Sequence, residues 1–133
     1  MTISTEGKIA NPDGNIHAVK SLYSNSSGTM GTITLSETSA NFQTIEINYS
    51  DNNGKEVKNL RIDTPNGKTI QLDCIEPGST ANNPLRTYMR TSCWTISGTS
   101  LTHVDSTFTT LSSAGIENTS SQYIKIYKVK GYR

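Results

Sequence analysis

Apolar residues are scarce in this chain, making up 32% of its 133 residues, where globular domains usually reach roughly 45 to 50% with glycine counted. A thick hydrophobic core is thereby excluded. Helix formers are few as well, with 5 Ala and 7 Leu, and no stretch carries a helical period. Charge of one sign is also missing: 12 basic residues against 11 acidic give a net charge of +1. No overall field gathers nucleic acid or an anionic membrane. No apolar run approaches the roughly 18 to 20 residues of a membrane-spanning helix. Residues 1–13 lack the basic start and apolar stretch of a secretory signal, so the chain is expected to be made and kept in the cytosol, or to leave it by some other route such as lysis. Two cysteines, Cys74 and Cys93, are too few for a zinc motif. They read as free thiols in a reducing compartment, or as a bridge between adjacent strands if the protein ends outside the cell.

What the chain has instead is 17 Ser, 19 Thr and 12 Asn, a composition of strands and turns. Thr44 to Tyr49 puts Ile45, Ile47 and Tyr49 on one side and Glu46 and Asn48 on the other, as in a half-buried strand. Asn53-Gly54 follows, then the alternating run Val57 to Ile62, then Thr64-Pro65-Asn66-Gly67 and a third run from Thr69 to Cys74. The turn residues suit tight reversals, so these three runs predict a meander. Further strands are expected over Ile16 to Tyr23, Gly31 to Leu35, Arg86 to Ser97, Leu101 to Val104, Thr107 to Leu111 and Tyr123 to Tyr132. Residues 24–28, 76–84 and 112–122 read as loops. The fold class is all-β, an antiparallel jelly-roll-like β-sandwich of about eight or nine strands with little or no helix. Residues 1–14 form a lead-in and residues 15–133 a single domain. So thin a core also suits an oligomer in which neighbours complete the burial.

Little here supports catalysis, and no catalytic residue, metal site or cofactor is assigned. His103 and Asp105 stand two apart on a predicted strand, so they fall on one face, where an Asp can orient a His base. A half-exposed His beside a turn Asp explains them equally. Asp63, Asp73 and Glu76 are the available carboxylates for glycoside hydrolysis, and spacing alone does not pair them. The segment from Asp51 to Glu56 resembles the start of a calcium loop, but its twelfth position is Ile62 rather than a carboxylate. A hairpin turn accounts for it.

Recognition has two candidate locations. Trp94, the single tryptophan, shares a strand face with Tyr88 and Arg90, a grouping able to stack on a sugar while the guanidinium holds a hydroxyl or phosphate. Burial of Trp94 in the core is the competing reading. At the other end, Lys125, Lys128, Lys130 and Arg133 interleave with Tyr123, Tyr127 and Tyr132 and form a patch for an anionic polymer such as teichoic acid. Alternatively, the lysines protect a terminal edge strand from sheet-to-sheet pairing.

The order of segments carries a resemblance. Ser21-Leu22-Tyr23-Ser24-Asn25-Ser26-Ser27-Gly28-Thr29, the run Gly31 to Ser36, Ala40-Asn41-Phe42 and Ile45 to Tyr49 are similar to small structural proteins encoded with the tail genes of phages and prophages of Gram-positive bacteria. Pro65-Asn66-Gly67-Lys68, Ile96-Ser97-Gly98 and Tyr123 to Arg133 continue the likeness across nearly the whole chain. The resemblance implies a virion component of a tail tip, fibre or baseplate, partnered by other phage tail proteins and often homotrimeric. In that setting, attachment to host cell-wall polysaccharide is the leading expectation. A purely architectural tail module is the second, and a cell-wall hydrolase the third.

Overall fold

The computed structural model describes residues 2–3, 9–10, 16–17, 19–52, 54, 57–77 and 86–133. Strands β1 (Thr2–Ile3), β2 (Ile9–Ala10) and β3 (Ile16–His17) form a small antiparallel sheet within the expected lead-in and just past it. The remaining strands build two antiparallel sheets packed face to face, the β-sandwich anticipated from the alternation. Sheet one has the order β4 (Val19–Thr29), β12 (Ile124–Tyr132), β6 (Thr44–Asp51), β7 (Val57–Asp63). Sheet two has the order β11 (Gly115–Thr119), β10 (Ser100–Ser112), β9 (Arg86–Ser97), β8 (Thr69–Pro77), and β5 (Ile33–Thr34) also pairs with β10. The sole helical element among the described residues is a 3-10 turn at Ser39–Asn41, where the Thr38 hydroxyl accepts from the Ala40 N–H.

The apolar side of each strand meets that of the other layer. Ile45, Ile47, Ile124, Ile126 and Val129 from sheet one close against Leu72, Trp94, Ile96 and Leu101 from sheet two, and all are essentially sealed from solvent. At about 25 cal/mol per Å² of apolar area removed from water, each such side chain stabilises the fold by roughly 1.5 to 3 kcal/mol. Gly131, on the central strand β12, lies under the Phe42 ring; a Cβ there would sit 2.5 Å from the ring.

Several sequence expectations are corrected. The three runs from Thr44 to Cys74 are not a meander, because β7 pairs with β6 while β8 crosses to the other sheet and pairs with β9. The crossing is made where Thr64 takes a positive φ of 49° and Pro65 turns inward. Lys68 N–H then donates to Pro65 carbonyl, with Gly67 at φ 85°, so the Asn-Gly pair bends the chain between layers instead of closing a hairpin. Residues 24–28 are strand, since β4 runs on to Thr29, and residues 115–119 form β11 rather than loop. The two short strands expected after Gly98 are one, β10, with a register shift between His103 and Asp105. From residue 78 onward, the loop expected over 76–84 lies outside the described residues.

Cys74 stands opposite Arg90 on the inner face, whereas Cys93 stands opposite Gln71 on the outer face. Neither is in a disulfide, and strand alternation points them away from each other. The bridge considered from sequence is not formed.

Candidate functional site

Strand length creates the site. In sheet two, β9 and β10 run for 12 and 13 residues, while β6 and β7 in sheet one run for 8 and 7. The last residue of β6, Asp51, reaches Arg90 across the layers. Beyond Arg90 the inner face of β9, β10 and β11 continues with no described strand of sheet one over it.

The pairings lay out this overhang in rows. Arg90 stands beside Phe108, which stands beside Thr119; Tyr88 beside Thr110, then Glu117; Arg86 beside Ser112, then Gly115. The first row closes the core, and beside the other two opens a cleft of about 340 Å³ lined by Arg86 of β9, Thr110 and Ser112 of β10, Gly115, Ile116 and Glu117 of β11, and Ala114 of the turn between them. The volume falls near the lower end of ligand-sized cavities. Small residues at Ser112 and Gly115 leave the hollow open, and the hydroxyls of Thr110 and Ser112 line its floor.

Where cleft meets core stands a cation ringed by aromatics. The Arg90 guanidinium carbon lies 5.4 Å from the Tyr88 ring centre, 5.0 Å from that of Phe108 and 5.8 Å from that of Tyr123. Phe108 packs edge-on to Tyr123 at 5.1 Å and stacks with Tyr88 at 5.8 Å. The same guanidinium Nη1 donates to Asp51 Oδ2 at 3.0 Å and to Glu76 Oε2 at 2.9 Å. Asp51 Oδ1 accepts from the Gly54 N–H, so the residue that suggested a calcium loop turns inward and ties the β6–β7 turn to the opposite sheet. Arg90 is 7% exposed and committed to two carboxylates. It holds the aromatic wall rather than a ligand. Buried charges of this kind persist only when paired, and removal of one partner is costly.

The residues singled out from sequence thus separate. Tyr88 is half-buried and stands opposite Thr110, one of the residues lining the cleft. Trp94 has no exposed surface; its indole N–H donates to Ser92 Oγ at 2.7 Å and its ring meets His103 edge-on at 5.3 Å. It is core, and in this fold it offers no platform for a sugar. Of the basic group, Lys125, Lys128 and Lys130 stand opposite Ser50, Asn48 and Glu46 on the outer face of sheet one. There Lys128 and Lys130 edge a depression of about 230 Å³ with Glu46, Asn48 and Asn59. Arg133 turns away from them, pairs with Glu37 at 2.6 Å and lies over the Phe42 ring at 4.7 Å. Because β12 is flanked by β4 and β6, its lysines do not guard a sheet edge, and that reading of them is corrected.

Nor are His103 and Asp105 brought together. The shift in β10 sets His103 opposite Trp94 on the inner face and Asp105 opposite Cys93 on the outer face. His103 Nε2 pairs instead with Ser106 Oγ. Among the carboxylates, Asp63 accepts from Thr44 Oγ1 at 2.8 Å and Asp73 lies 3.6 Å from Lys58 Nζ, while Glu76 and Asp51 both pair with Arg90. Elsewhere, Glu37 gathers Lys20, Asn41 and Arg133, and these hydrogen bonds, Lys20's foremost, hold its carboxyl down at about 2. Burial raises the Tyr49 phenol above its ordinary value although its O–H donates to the Asp73 carbonyl. No group of three or more His, Cys, Asp or Glu able to hold a metal ion occurs among the described residues.

Sequence reasoning missed Arg86, Thr110, Ser112 and Glu117. The available signal was the length of the run from Arg86, which exceeds that of any strand able to cover it. Among the described residues, no helix is long and apolar enough to cross a membrane. Comparison with protein-family models and with curated proteins finds no match to this chain.

Proposed function

We propose that this protein is a saccharide-binding β-sandwich, and that it serves a phage tail as a module attaching to host cell-wall polysaccharide. The observation that carries the binding half is the overhang: an exposed, hydroxyl-lined inner face of β9–β11 beside the half-buried Tyr88 ring. Sugars present hydroxyls at their edges and C–H bonds on their faces, so a polar floor next to an aromatic wall suits them. The tail half rests on the order of turn and strand motifs described above, and trimeric assembly belongs to that half. A glycan array carrying bacterial cell-wall fragments, repeated with Tyr88→Ala, tests the binding. Retention of a glycan by the parent and its loss in the variant supports the reading; no glycan retained by correctly folded protein refutes it.

A second reading, the architectural tail module, draws on the other face of sheet two. Ile75 and Ile116 are 53% and 69% exposed there, and apolar groups of that kind suit a protein contact. Molar mass by light scattering distinguishes a self-assembling module from a monomer.

A further inference from the structure

The cleft holds one charge of each sign. Arg86 and Glu117 both line it and both are exposed, and neither has an ion-pair partner among the described residues. They lie one row and two strands apart, since Arg86 stands in the row of Ser112 and Glu117 in the row of Thr110. With strands about 4.8 Å apart and about 3.4 Å per residue along a strand, their backbones are on the order of 12 Å apart. The side chains project into the space between, over Ser112, Thr110 and the bare backbone of Gly115.

We propose that the cleft selects a zwitterionic saccharide, one that carries a carboxylate or phosphate and, on the same or the adjoining sugar, a free amine. This inference rests on the saccharide reading and names the ligand class within it. A neutral sugar filling the cleft strips water from both charges and gives neither a partner, which is costly. An anionic sugar satisfies Arg86 but approaches Glu117, and a cationic one does the reverse. Only a ligand with both signs leaves neither side chain unpaired, the negative group on the guanidinium fork and the amine at the carboxylate. Arg90 cannot supply the cation, because its Nη1 is already shared by Asp51 and Glu76. Tyr88 stands next to Thr110 in the middle row, with its ring stacked on Phe108, and flanks the residues that line the cleft.

Calorimetric titration of the whole protein with two oligosaccharide backbones, each in two charge states, tests this. The probes are a heparosan tetrasaccharide, whose repeats carry a carboxylate and an N-acetyl group, the same tetrasaccharide after de-N-acetylation, which is zwitterionic, a neutral chitin tetrasaccharide and its cationic de-N-acetylated form. The zwitterion is expected to bind at least tenfold more tightly than its N-acetylated parent, and the advantage should shrink as salt is raised. Glu117→Gln should abolish the gain from the free amine, and Arg86→Gln the gain from the carboxylate, with both variants keeping the parental melting temperature. Equal affinity for neutral and zwitterionic probes overturns the inference and leaves saccharide binding standing. Failure of all four probes, together with an empty glycan array, overturns both.

Discussion

Asp51 and Arg90 come from opposite sheets and meet at 3.0 Å at the point where the two layers part. The core lies on one side of this ion pair and the open cleft on the other. Its loss should therefore be felt in both.

Asp51→Ala removes one acceptor from a buried guanidinium and another from the Gly54 N–H. Breaking a buried pair in this way costs about 3 to 5 kcal/mol. Urea unfolding should record a loss of that order, whereas Asp63→Ala, at a pair on the exposed surface, should cost less than about 1 kcal/mol. Similar values for the two would deny the cluster its structural role.

Acid should weaken the fold through Glu37. Its folded-state value of about 2 lies below the ordinary 4.5, so the group favours the folded state at neutral pH. That contribution is complete above about pH 4.5 and fades as pH falls toward 2. Midpoints of thermal unfolding measured from pH 6 to pH 2 should fall less steeply in Glu37→Gln than in the parent. Parallel curves would show that Lys20 and Arg133 do not hold the carboxylate in solution.

Two glycines should respond differently to the same methyl group. At Gly67 nothing stands within 4 Å and only the φ of 85° resists a side chain, so Gly67→Ala should cost about 1 kcal/mol. At Gly131 the φ is ordinary but the Phe42 ring occupies the space. Gly131→Ala should cost about 1 to 3 kcal/mol, and pairing it with Phe42→Leu should recover part of the loss. Calorimetric melting of the three variants provides the check.

Trp94 emission should be blue-shifted and resistant to acrylamide, because the indole has no exposed surface. Saccharide that fills the cleft should leave it unchanged. Strong quenching in the folded protein would mean that β9 is turned over in its sheet.

The register of β6 is testable with two adjacent residues. Ile47 is fully buried and Glu46 lies on the outer face, so Ile47→Asp should abolish soluble folding by burying an unpaired charge. Glu46→Lys should leave the melting temperature within a few degrees. Comparable damage from both would move the strand by one residue.

The alternation around Ile45, Ile47 and Tyr49 was legible in the chain because half-buried strands impose a period of two. The run Arg86–Ser97 was legible in extent for the same reason. What escaped was everything that breaks the period or concerns which layer a strand joins. The shift at Val104 separates His103 from Asp105, yet its neighbours are polar on both faces and leave no mark in the pattern. The change of layer after Asp63 looks, residue by residue, like a hairpin, since Pro65, Asn66 and Gly67 serve either geometry. Of the site, Tyr88 was found because aromatics stand out; Arg86 and Glu117 were missed because their juxtaposition depends on β11, which has no buried side chain at all.

The position of β12 has a bearing on how the molecule is born. Val19 pairs with Tyr132 and Thr44 with the same residue on the other side, so β4 and β6 are joined in their sheet by a strand synthesised after both of them. Until the ribosome has delivered residues 124–132, the first sheet is two separated pieces waiting with their oily sides uncovered. Closure of the sandwich must then wait for its last strand, and a chain halted before that point has a chaperone or a protease as its nearest partner.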